Sequence, residues 1–171
     1  MILLLPCLLM AGCGSKKLDK KIVFGLLQKQ IPFPRTLDYD IYCSDPEYAH
    51  RLLNAGLEKD GLVNVQQKQK LIDVGNPLIS FTEKAQPYLL PTPEKDRASE
   101  VQKVKLADEE LTEILSIQEN EANKTAVVEY TTAYKNISPF STLVNIDFKV
   151  PKKHTIYLSL HDDQWHIQKK G

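Results

Sequence analysis

Three groups of residues in this chain carry side chains that could do chemistry. They are Cys13 among small neighbours, Cys43 with His50, and the run His161-Asp162-Asp163 with His166 close behind. Two imidazoles can hold zinc, but structural zinc sites want four ligands and catalytic ones three plus water. On a tight hairpin, residues 161 and 166 fall on opposite strands and the carboxylates of 162 and 163 point apart. Cys43 and His50 are the only other soft ligands in view and lack paired spacing, so no metal site is expected. Seven residues of separation do not make Cys43 and His50 a nucleophile–base pair. Cys43 also falls in phase with Leu37, Tyr39 and Ile41, which predicts a buried and inert thiol. Glu109, Glu110, Glu113, Glu119 and Glu121 form an acidic run. Carboxylates do acid–base work only in a cleft that shifts their pKa values, so this run reads as a solvated face. There is no Gly-x-Ser-x-Gly elbow, phosphate loop or dinucleotide fingerprint. No catalytic residue and no cofactor are expected, and the chain is not read as an enzyme.

Cys13 has a different context. Met1 to Gly12 carry no charged side chain and are mostly Leu, Ile, Met and Pro. A run this short does not cross a hydrocarbon core about 30 Å thick as a helix, but it matches the apolar region of a secretory signal peptide. It ends in Met10-Ala11-Gly12-Cys13, followed by Gly14-Ser15 and Lys16-Lys17. Small residues before a cysteine, behind an apolar run, resemble the lipobox of bacterial lipoproteins. The resemblance implies that the Cys13 thiol receives a diacylglycerol, that a peptidase removes residues 1–12, and that the new amino terminus is acylated. Ala11 and Gly12 would let the extended backbone approach the peptidase. Inner-membrane retention in such proteins commonly uses Asp after the cysteine; Gly14 stands there, which implies the outer membrane, facing the periplasm. The rival reading is a buried N-terminal strand or helix with Cys13 as a core residue. Each buried methylene contributes about 0.8 kcal/mol, so two or three long chains would hold the protein on a bilayer. Lys16, Lys17, Lys20 and Lys21 could then touch anionic headgroups, or serve only as a solvated tether.

Composition narrows the partners. The 171 residues hold 22 Lys plus Arg against 22 Asp plus Glu. A formally neutral chain is poorly suited to neutralising phosphates, so nucleic acid is not expected as a partner. Cys7 leaves with the signal peptide and Cys13 becomes a thioether, so Cys43 has no partner for a disulfide.

These residues must be positioned by elements that the patterning makes legible. Leu18, Ile22, Leu26 and Leu27 predict a helix over 17–30, stopped by Pro32 and Pro34. Leu37 to Cys43 alternates as a half-buried strand. Ser44-Asp45-Pro46-Glu47 opens a helix that Asp60-Gly61 should end. Strands are expected at Leu62–Val65 and Leu78–Phe81, then a short helix from Thr82 through Tyr88 and Leu89. This rhythm is similar to the second half of winged-helix domains, taken here as a scaffold only. Residues 91–97 read as a linker. Beyond them, strands are expected around Val101–Leu106, Leu111–Ile117 past an acidic bend, Lys124–Tyr134, Leu143–Phe148, Thr155–Leu160 and Trp165–Gln168. Asp162-Asp163 should form a tight turn. The closing hairpin resembles that of small secreted α+β domains, including cystatin-like ones.

The expected organisation is therefore α+β. A signal peptide (1–12) precedes a lipid anchor, basic segment and first helix (13–35). A helix/hairpin subdomain (36–90), the linker (91–97) and an antiparallel sheet of about five strands (98–171) follow. Pro139 should interrupt the sheet and leave Phe140 on a loop or edge, where an exposed aromatic could anchor a partner. Trp165 could line a ligand groove. The function expected is binding of an envelope partner by a lipid-anchored protein. The alternatives are a small envelope hydrolase or thiol enzyme using Cys43, and capture of a small ligand beside Trp165.

Overall fold

A computed structural model describes residues 17–68 and 76–168. Cys13, with Ala11 and Gly12, lies outside the described residues. The architecture is α+β, a short helical N-terminal part followed by a curled five-stranded antiparallel sheet.

Helix α1 spans Lys20–Gln30, and Asp19 caps it by accepting from the Ile22 N–H at 2.7 Å. Its Val23 and Leu27 are fully buried against the sheet, while Phe24 points outward. Strand β1 (Arg35–Tyr42) follows, then helix α2 (Pro46–Asn54), capped by Asp45 with Pro46 in its first turn. α2 stops earlier than Asp60-Gly61. Gly56 sits at φ +77°, with Gly56 N–H bonded to Leu53 O and Leu57 N–H to Leu52 O. That paired closure ends a helix on a left-handed residue and seats Leu57 beside Leu52 in the core. The same pattern recurs at Gly61, so the stretch that sequence periodicity assigns to one helix is a helix and a second tight turn.

Strands β2 (Val63–Val65) and β3 (Ile79–Phe81) form a separate two-stranded sheet, and a 3-10 turn covers Glu83–Tyr88. Helix α3 (Glu94–Ala98) occupies most of the expected linker. The main sheet then runs β4 (Val101–Asn120), β5 (Thr125–Lys135), β6 (Lys152–His161) and β7 (Gln164–Ile167), in the order β1-β4-β5-β6-β7. β1 pairs with β4, and Ile41, Leu52 and Val63 share one buried cluster with Val104, Leu106 and Phe140. The 36–90 and 98–171 segments thus contribute to a common core.

β4 is one 20-residue strand, with no break at its acidic stretch. It absorbs three extra residues: Leu106 opposite β1, and Thr112 and Leu115 opposite β5. Such bulges sharpen twist and bend a strand, which curls the sheet around α1. They also reset the side-chain phase, so Leu106 and Ala107 are both buried. On β5, Ala126, Val128, Tyr130 and Thr132 are all buried on one face. Asp162 and Asp163 have φ +50° and +57°, the turn that suits a two-residue hairpin.

No strand forms over Leu143–Phe148. Ser138 caps a 3-10 turn over Pro139–Leu143, accepting from the Phe140 N–H at 3.1 Å. Pro139 interrupts the sheet, as expected, by starting this turn. No described helix is long and apolar enough to cross a membrane.

Candidate functional site

The inner face of the sheet carries two apolar clusters. One gathers α2, β2, β3 and Phe140; the other gathers α1 with Ile114, Val128, Tyr130, Leu158 and Trp165. A band of polar groups lies among the strands at their junction. Arg35 is the cross-strand partner of Glu109, Glu109 of Tyr134, and Tyr130 of His154. These pairings put the five side chains on one face of adjacent strands.

Glu109 is only 1% exposed. The Arg35 guanidinium donates to its Oε2, with Nε and Nη2 each at 2.5 Å. Thr132 Oγ1 donates to Oε1 at 2.7 Å, and His154 Nε2 stands 2.9 Å from the Thr132 hydroxyl and 3.5 Å from Oε1. With the Thr132 proton committed to Glu109, the network assigns His154 the Nε2–H tautomer, donating to Thr132. The imidazole stacks on the Tyr130 ring at 4.9 Å and 16°.

The electrostatics follow from this geometry. Burial pushes the Glu109 carboxyl up, but the bonds from Thr132 and Arg35, with the Arg35 charge, outweigh it and hold it below the ordinary range. Burial pushes His154 down; Glu109 opposes this, while Lys152 and Arg35 reinforce it. Burial, then the Glu109 charge, raises the Tyr130 and Tyr134 phenols, keeping both neutral. The band therefore holds one buried carboxylate, one guanidinium that is half exposed, and a neutral imidazole.

A pH dependence follows. His154 and Glu109 both release protons more readily when folded, so each stabilises the fold above its unfolded pKa and loses that contribution on acidification. Stability should fall as pH drops below 6.5, where the unfolded chain takes up a proton that folded His154 still resists, and again below 4.5, where it takes up one that folded Glu109 resists. Urea midpoints at pH 7.5, 5.5 and 4 check this. In His154→Gln the loss between pH 7.5 and 5.5 should shrink or vanish, while the loss below pH 4.5 remains.

This band escapes a reading of the acidic run as a solvated face. Glu113, Glu119 and Glu121 are exposed as expected, but Glu109 is the most deeply buried charge among the described residues. The bulge at Leu106 turns it inward.

The residues singled out from the sequence are dispersed. Cys43 is buried, its Sγ 3.8 Å from Ile41 O, and burial with the Glu100 charge pushes the thiol up to about 11. His50 is exposed on α2 and bonded to Asn54. Phe140 is fully buried, its ring 6.2 Å from those of Phe81 and Tyr88. It is a core residue and not an exposed anchor, because the Ser138 cap and Pro139 turn the chain inward. Pro139 is half-buried beside it. Trp165 is 7% exposed. His161 and His166 face each other at 6.3 Å, and no three His, Cys, Asp or Glu gather to hold a metal among the described residues.

Trp165 does line a cleft of about 330 Å³ at the far end of the sheet, with Leu160, Lys17, Glu119 at the end of β4, and the β4–β5 turn residues Glu121 and Lys124. Its size is at the low end for small-molecule sites. No family model, no curated protein and no solved structure matches this chain.

Proposed function

We propose that this chain is a bacterial envelope lipoprotein, anchored through Cys13 to the outer membrane and facing the periplasm, that acts by binding a protein partner and not by catalysis. The observation that carries the reading is Met10-Ala11-Gly12-Cys13 behind an uncharged apolar run. The start of the fold supports it. Leu18 is already buried and α1 begins at Lys20, five and seven residues past Cys13. Five extended residues span at most about 18 Å, so an acyl chain on Cys13 would hold the domain close against the headgroups. Exposed Lys17, Lys20 and Lys21 on the same segment suit an anionic surface. A Cys43 thiol pushed to about 11 supplies almost no thiolate at neutral pH, which argues against the thiol-enzyme alternative. A neutral formal charge argues against nucleic acid as a partner.

Fractionation of cells tests the anchor. The native chain should sediment with membranes, and Cys13→Ala should leave the lipid-modified pool and appear mostly in the aqueous fraction or as uncleaved precursor. Equal membrane recovery and normal processing of both would defeat the reading. A second reading, capture of a small ligand, is favoured by the cleft that places Trp165 beside ionised groups.

A further inference from the structure

The cleft beside Trp165 combines three properties. Its charged lining is balanced, with Lys17 and Lys124 against Glu119 and Glu121. All four side chains are exposed, and none forms an ion pair with another described residue. Its floor is apolar, made by Leu160 and Trp165.

The turn that presents these charges is pinned. Lys124, at φ +52°, accepts from the Leu160 N–H at 2.9 Å through its carbonyl, and Asn120 Oδ1 accepts from Asn123 N at 3.1 Å. Glu121 and Lys124 are thus presented by a hydrogen-bonded turn, and Glu119 by the paired end of β4.

Lys17 also places this cleft. It is four residues from Cys13, a reach of at most about 14 Å. The polar region on each side of a bilayer is only about 5–8 Å deep. A cleft tethered that closely to an acylated cysteine meets headgroups before it meets free solutes.

We propose that this cleft receives the zwitterionic phosphate–amine headgroup of a bilayer phospholipid, with Lys17 and Lys124 toward the phosphate and Glu119 and Glu121 toward the ammonium. The proposal rests on the lipid-anchor reading and deepens it, since it gives the anchored domain a fixed orientation on its membrane. A purely anionic headgroup would meet two carboxylates, and an uncharged ligand would leave four charges unanswered; a zwitterion satisfies both pairs.

Trp165 is the only tryptophan in the chain, so its emission reports on the cleft directly. The full chain, extracted in detergent, is reconstituted into phosphatidylglycerol vesicles with or without an equal share of phosphatidylethanolamine. The expected result is a blue shift and at least twofold less acrylamide quenching in the phosphatidylethanolamine vesicles only. The double variant Lys124→Gln/Glu121→Gln should lose the response while keeping its unfolding temperature. Identical emission in both vesicles, or a response that survives the double variant, overturns the proposal. A response to soluble glycerophosphoethanolamine by vesicle-bound protein that ignores the lipid mixture assigns the cleft to a free solute and overturns the bilayer source. Protein that does not float with vesicles of either kind contradicts the anchor reading instead, and its response to the soluble headgroup then still tests the cleft alone.

Discussion

Arg35→Met should cost the fold about 2–3 kcal/mol at pH 7 and distinctly less at pH 5. Removing one member of a buried ion pair typically costs about 3–5 kcal/mol, because the remaining charge is left uncompensated. Arg35 is 49% exposed, so solvent already screens part of its interaction, and the lower figure is appropriate. Glu109 cannot turn to water in the same way, at 2% side-chain exposure. Its carboxylate would keep Thr132 and His154 as partners but lose both guanidinium bonds. Burial, the largest influence on Glu109, would then dominate and lift its pKa. A carboxyl that takes up a proton at pH 5 no longer bears the full penalty of a buried charge, and each tenfold gain in its proton affinity is worth about 1.4 kcal/mol. The double variant Arg35→Met/Glu109→Leu should recover most of the loss, since replacing a whole buried pair with apolar groups is often neutral. Chemical unfolding of the three proteins at both pH values checks this. A pH-independent cost in Arg35→Met would mean that Glu109 is not the charge that Arg35 holds.

Phe140→Ala has the largest effect expected of any single apolar truncation, about 4 kcal/mol, or roughly 8–16 °C in unfolding temperature. Phe140 has no exposed surface and is the largest of the fully buried side chains. It closes the cluster that joins β3, the Glu83–Tyr88 turn and β4. Truncation leaves a cavity that these rigid neighbours cannot fill. Ile137→Ser, three residues away and 46% exposed, should change stability by less than about 0.5 kcal/mol. Calorimetric scans of both variants separate the two roles. A Phe140→Ala protein as stable as the native one would restore the exposed-anchor reading that the fold removes.

Element boundaries were largely legible because the apolar periods are clean. The stripe of α1, the Ser44-Asp45-Pro46 start of α2, the inward face of β5 and the Asp162-Asp163 turn all form where local pattern puts them. Three features were hidden for physical reasons. Gly56 ends α2 through its φ of +77°, while Leu57 continues the helical period and masks the stop. Pro139 starts a 3-10 turn instead of exposing Phe140, because Ser138 caps it. The bulge at Leu106 inverts the phase of β4, and strict alternation then misplaces Glu109. Two signals pointed to the buried band all the same. Thr132 continues the inward set of β5, and His154 keeps phase with the inward-facing Ile156 and Leu158 of β6. A polar residue in each of two adjacent apolar stripes calls for a buried partner. The partner's identity depended on a register that no local pattern encodes. The cleft beside Trp165 was legible only as one aromatic. Its charges come from Lys17, the end of β4 and the β4–β5 turn, which the fold alone brings together.

Metabolic labelling tests the central claim most directly. Cells expressing the native chain and Cys13→Ala are grown with radioactive palmitate, and each protein is isolated and counted. The account predicts label on the native polypeptide, retained after reduction, and none on the variant. An unlabelled native chain, or equal label on both, would contradict it.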